Sequence, residues 1–218
     1  MGRTRNRPFV TGALRHGPAW LWLIGAMLAA SVLAAAIAAN ALAALYVFLG
    51  AFTYGVVYTM WLKRRTWWNI VVGGLAGSFA VLAGAAAVSP TPGPEALALA
   101  VVLFLWTPPH FWSLAIAYRE DYAAAKVPML PVVVGDARAA RAIFASAALL
   151  VAASLVPAAF GLGWIYLACA AAGGGYFVLR CGALVRRQGR DTARAAFLAS
   201  LAQLGAVLAG AMLDVALS

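Results

Sequence analysis

The sequence predicts an all-α membrane protein, a single membrane-embedded bundle of seven transmembrane helices. Three observations carry that prediction. Of its 218 residues, 65% are hydrophobic and only 10% charged, with a mean hydropathy of +0.91, whereas soluble domains carry about 25% charged residues. The chain contains uncharged stretches long enough to cross a bilayer, which takes about 20 apolar residues per pass. All 16 Lys and Arg residues fall in alternate linkers between those stretches.

The spans follow in order. The basic arm MGRTRNRPFVTGALRHG is not followed by a short apolar core with a small-residue cleavage site, so it reads as an anchor rather than a cleavable leader. Gly17 to Leu62 is uncharged and is expected to break near Asn40, giving spans 18–39 and 41–62. Thr66 to Tyr118 holds one charge, Glu95, beside the breaker run Ser89-Pro90-Thr91-Pro92-Gly93-Pro94. A helix does not continue through such a run, so spans 68–89 and 95–118 flank it. Ala142 to Leu179 turns at Gly161-Leu162-Gly163, giving 142–160 and 164–182, and a last span covers 195–217.

The linkers on one side are the N-terminal arm, Lys63–Arg65, Arg119–Arg141 and Arg180–Arg194; the other side has only Glu95 and Asp214. The positive-inside rule then puts the N-terminus in the cytoplasm and the C-terminus outside. The net charge of +10 is therefore topological, and nucleic acid is excluded as a partner because no soluble basic face exists. Cys169 and Cys181 lie twelve residues apart without metal-ligand or redox spacing. They read as small packing residues, as do Gly73, Gly74 and Gly77.

Chemistry concentrates at Trp106 to Val134, WTPPHFWSLAIAYREDYAAAKVPMLPVVV. Polar residues at membrane depth are costly and are functional candidates by default. Pro108 and Pro109 are expected to kink their helix beside His110. Helical spacing puts His110 and Asp121 on one face, and Asp121, with Glu120 beside it, has the chemistry to hold Mg²⁺ at the membrane edge together with substrate phosphates. Two basic clusters lie on the same side: Arg3-Thr4-Arg5-Asn6-Arg7-Pro8, and Tyr58-Thr59 with Lys63-Arg64-Arg65-Thr66. Converging guanidiniums suit a diphosphate, although a positive-inside anchor accounts for these charges as well.

At these residues the chain resembles the protohaem IX farnesyltransferases (haem O synthases), a family within the UbiA superfamily of intramembrane prenyltransferases. The matching segments are RTRNRP after Met1, YTMWLKRRT followed by NIVVGG, and WTPPHFW with YREDYAAAKVPMLPVV. The resemblance implies a UbiA-type bundle of nine helices, transfer of farnesyl from farnesyl diphosphate to a vinyl group of haem B, and Mg²⁺ held by two Asp-rich motifs. It implies contacts from Arg3 and Arg7 to the diphosphate or the haem propionates, further diphosphate contacts from Lys63 and Arg64, and metal ligation by Asp121 with Glu120. His110, Tyr58, Trp106 and Arg119 fall on the haem side, with His110 an iron ligand or an acceptor-positioning group. The product, haem O, serves terminal oxidases, and a haem-modifying or oxidase-assembly protein is the expected downstream partner.

Three departures from the family pattern stand out. Two helices and the first Asp-rich motif should precede RTRNRP, so the chain is expected to be an N-terminally truncated domain with little activity as it stands. Gly77-Ser78-Phe79-Ala80-Val81 stands where a GAFPP-like run is usual. Lys126 replaces a small residue before Val127-Pro128, adding positive charge near the diphosphate. A UbiA-type enzyme with a quinone-type aromatic acceptor, which would not need His110, and an inactive haem-binding remnant are the competing readings.

Overall fold

The computed structural model describes residues 6–15 and 17–217, and among these every regular element is helical. A single turn, α1 (Pro8–Thr11), precedes the long α2 (Pro18–Ala38). Both start on a proline, which loses nothing in a first turn whose N–H groups have no helical acceptor. The chain returns through α3 (Ala41–Phe52), which continues directly into a π-helical segment, Thr53–Leu62. Asn40 makes the turn between them. Its side-chain oxygen accepts from the Ala43 N–H at 2.9 Å, and its amide donates to the Ala86 carbonyl at 2.6 Å.

The third span combines α4 (Asn69–Gly73) and α5 (Leu75–Val88), and the fourth is α6 (Pro94–Ala117). Two short helices follow at the basic end, α7 (Arg119–Ala124) and α8 (Leu130–Val134). Then come α9 (Asp136–Leu155), a 3₁₀ turn (Val156–Phe160), α10 (Trp164–Arg186) and α11 (Arg190–Leu217).

Seven helices are long and apolar enough to cross a membrane, with bounds close to those the sequence predicts. The fifth and seventh begin earlier than expected, at Asp136 and Arg190. Their leading turns, DARAAR and RDTARAA, are rich in strong helix formers and keep their helical geometry where polarity rises. Helix α6 is the hub, packing against α5, α9 and α11, while α10 closes against α9 and α11. Helix α2 has no buried residue and packs chiefly against α3.

Apolar helices gain little from one another in lipid unless their backbones approach closely. They do so here. A Cβ added at Gly173 would come within 2.8 Å of Ala206, at Gly174 within 2.7 Å of Val151, and at Gly210 within 2.6 Å of Cys169. Cys169 is thus a packing residue beneath Gly210, and Cys181 is buried; both thiols are free.

Candidate active site

The expected continuous face from His110 to Asp121 is broken by a corner at Tyr118. Pro108 and Pro109 stay inside α6, which runs on to Ala117; at Tyr118 the backbone turns out of the helix with φ −125° and ψ 31°. Helix α7 then starts afresh, with Glu120 and Asp121 in its first turn. The corner is anchored from below. Val127, Met129, Leu130 and Pro131 are buried, the Val127 N–H donates to the Tyr122 carbonyl at 3.0 Å, and the Met129 N–H donates to the Val127 carbonyl at 2.8 Å.

Around this corner lies a polar cavity of about 820 Å³, lined from four elements: the end of α6, α7, Asp136 at the start of α9 and Arg190 at the start of α11. Arg119, Glu120 and Asp121 all contribute to it. Asp121 is half-buried and Glu120 exposed. The Arg119 guanidinium reaches Asp136 Oδ2 at 3.5 Å, while Asp136 Oδ1 is buried with no hydrogen-bond partner. The Arg190 guanidinium lies over the Tyr118 ring, 5.4 Å from its centroid. Lys126 is exposed and is not among the residues lining the cavity.

An apolar cavity of about 370 Å³ lies on the other side of α6, between the π-helical segment, α4 and α5. Tyr58, Gly73, Gly77, Trp106 and Phe111 contribute to its walls. A Cβ at Gly73 would stand 2.9 Å from the Tyr58 ring, so the close approach there requires glycine. The widened turns of Thr53–Leu62 are reinforced by Thr59, whose hydroxyl donates to the Tyr54 carbonyl at 2.7 Å, and such π-helical stretches cluster at functional sites. Lys63 places its Nζ 5.7 Å from the Tyr58 centroid.

His110 lines neither cavity. It is 6% exposed, stacks on Trp106 at 4.0 Å and packs against Phe197 at 4.5 Å. Its Nδ1 lies 2.7 Å from the Ser200 hydroxyl of α11, and the Trp106 indole N–H donates to the Ser200 carbonyl at 2.8 Å. The histidine therefore stands directly behind Trp106, locked to the last helix. Arg7 and Arg64 are exposed and line neither cavity, and Arg3 lies outside the described residues. Asp136 and Arg190 escaped the sequence reading. Arg190 counted only as a topological charge, and Asp136 is seventeen residues from its partner; the one signal was Gly135-Asp136 opening an Ala-rich helix.

Among the described residues, no three His, Cys, Asp or Glu side chains converge as a metal cage. One or two carboxylates on an open polar cavity are nevertheless the donor set Mg²⁺ uses when phosphates and waters complete its octahedron. Asp121 and Glu120 fit that description.

The profile of the UbiA prenyltransferase family matches residues 1–202. The chain belongs to the UbiA prenyltransferase family. As a UbiA member it is an enzyme of the membrane prenyltransferase class. It is 59% identical over 214 residues to protoheme IX farnesyltransferase 2 of Paramagnetospirillum magneticum, a match spanning 98% of this chain and 74% of that protein. It is 50% identical over 205 residues to protoheme IX farnesyltransferase 1 of the same organism, spanning 94% of this chain and 72% of the relative. The solved structure of a digeranylgeranylglyceryl phosphate synthase superposes with a TM-score of 0.78 at 17% identity, covering 98% of this chain and 76% of that one. That likeness shows the UbiA fold.

Proposed function

We propose that this UbiA-family chain transfers the farnesyl group of farnesyl diphosphate to a vinyl group of haem B, forming haem O for terminal oxidases and releasing diphosphate. The observation that carries the reading is the 59% identity to a protein named for that transfer, extending over 98% of the chain. The polar corner at Tyr118–Asp121 supplies the chemistry it needs.

The reaction is an allylic ionisation. The C–O bond to diphosphate breaks and its electron pair leaves with the diphosphate. The vinyl π-bond captures farnesyl C1, and water adds to the cation left beside the porphyrin, releasing a proton. Asp121, with Glu120 beside it, would hold Mg²⁺, which when bound helps neutralise the leaving diphosphate. Lys63 and Arg64, together with Arg3 and Arg7 of the N-terminal arm, add basic contacts to the diphosphate or to the haem propionates. Tyr58 and Trp106 wall an apolar cavity suited to the hydrocarbon parts of the reactants, and water exclusion there protects the cation until the acceptor meets it. Arg119 belongs to the acceptor side. His110 acts there through Trp106, fixing the indole from behind rather than ligating iron. The basic end faces the cytoplasm of a bacterial cell whose inner membrane holds the bundle.

The test is direct. The chain is expressed in membranes, both as given and lengthened by any in-frame coding sequence upstream of Met1. It is then supplied with farnesyl diphosphate, Mg²⁺ and haem B or an aromatic quinone precursor. Haem O detected by mass is the expected result. A product on the quinone precursor alone would overturn the haem assignment.

A further inference from the structure

We infer that Arg190 is the residue of α11 that binds a substrate oxyanion in the polar cavity, opposite the carboxylates of α7. The inference rests on reading that cavity as the site where the charged parts of the reactants bind. Among the described residues, Arg119 and Arg190 are the arginines that line the cavity. Arg119 is engaged by Asp136 at 3.5 Å. Among the described residues, no carboxylate lies within ion-pair distance of Arg190, whose observed contact is the face of Tyr118 at 5.4 Å.

A guanidinium supported on an aromatic face keeps its edge N–H groups available, and its planar fork matches a phosphate or carboxylate in two-point fashion. The position is also held firmly in the chain. Thr192 donates its hydroxyl to the carbonyls of Arg187 and Gly189 at 2.8 and 3.0 Å, and the Ala193 N–H donates to the Gly189 carbonyl at 3.0 Å. These bonds fix the turn that delivers Arg190 to the corner.

The oxyanion has two sources, the diphosphate of the donor and the carboxylates of the porphyrin acceptor, and the test separates them. Full-length wild type, Arg190→Gln, Arg190→Lys and the control Arg187→Gln, an exposed arginine of the same linker, are purified in detergent. Inorganic diphosphate with Mg²⁺ is titrated by calorimetry. Haem B and its dimethyl ester are titrated by Soret absorbance.

A diphosphate role predicts that Arg190→Gln weakens diphosphate binding by about tenfold or more with haem affinity unchanged. A carboxylate role predicts that wild type prefers haem over the diester and that Arg190→Gln erases the preference. Arg190→Lys is expected to recover part of either loss. Unchanged binding of both ligands in Arg190→Gln overturns the inference. So does an equal loss in Arg187→Gln, which would mark a general charge effect, and so does a wild type that binds neither ligand. An Arg190-dependent binding effect in a chain that makes no haem O would leave this inference standing and remove the acceptor reading; haem O formation with binding unaffected by Arg190→Gln would do the reverse.

Discussion

Asp214, at the end of the bundle away from the basic linkers, and Asp121, at the basic end, are carboxylates beside helix termini, and their surroundings differ in kind. Asp214 is 7% exposed. It accepts from the Gly163 N–H, and from those of Ile165 and Tyr166 at 3.2 and 3.4 Å, so it caps the first turn of α10 from the neighbouring helix. Those are N–H groups the helix itself cannot satisfy. Asp121 instead stands half-buried on the wall of an 820 Å³ cavity, in company with an ion pair, an arginine and a second carboxylate. The turns differ too. The chain passes Gly161 at φ +112° at the Asp214 end, whereas the basic end, which also turns on Gly12 and Gly135, places the non-glycine Lys126 at φ +52°. One end is built to hold the helices together, and the other accepts strain beside an open site. Asp214 is occupied by three backbone N–H groups around the start of α10, whereas Asp121 stands on the wall of a polar cavity.

The largest effect that can break this comparison is Asp121→Asn. If Asp121 holds the metal as proposed, loss of its charge should lower haem O formation by roughly two to three orders of magnitude, while thermal stability in detergent stays close to wild type. Wild-type turnover would remove Asp121 from the metal site and make the two ends equivalent.

Asp214→Asn is the reciprocal experiment. Replacing a charged acceptor of three N–H groups with an amide should cost about 2–4 kcal/mol of stability. Denaturation in detergent measures that loss, and turnover per folded molecule should stay within about twofold. A large loss of turnover with unchanged stability would show that this end also takes part in catalysis.

A smaller effect is expected at His110→Phe, which keeps the ring stack on Trp106 but gives up the Ser200 contact. It should cost about 1–2 kcal/mol and leave the Soret position of bound haem unchanged. A shifted Soret band would restore iron ligation as the role of His110.

The sequence made the fold legible because a bilayer leaves so few options. A span needs internal backbone bonding over its whole length, so uncharged stretches and breaker runs were enough to place seven helices. The turns at Asn40, Ser89–Pro94 and Gly161–Gly163 all lie where those breaks were expected. The site was legible only where its residues are neighbours in sequence. Arg119, Glu120 and Asp121 line one cavity, as their adjacency implied. Helical periodicity failed at Tyr118, because a break in the ladder resets the phase of every later residue. It also placed His110 on the site surface, while the structure packs it behind Trp106 and against α11. Asp136 and Arg190 join the corner only through the packing of α9 and α11 around α6, and no spacing rule reports that.

The smallest expected effect tests the strain at the basic end. Lys126 adopts a left-handed backbone conformation that costs an ordinary residue about 1–2 kcal/mol and glycine almost nothing, which gives a physical reason for the small residue expected there. Its side chain is exposed and lines neither cavity. Lys126→Gly should therefore stabilise the fold, by about 0.5–1 kcal/mol once the added freedom of the unfolded chain is subtracted. Chemical denaturation in detergent measures the gain, and diphosphate affinity should not change. A loss of stability would mean that the lysine side chain holds the corner. A loss of diphosphate affinity at unchanged stability would return Lys126 to the substrate site and explain why the basic end tolerates the strain.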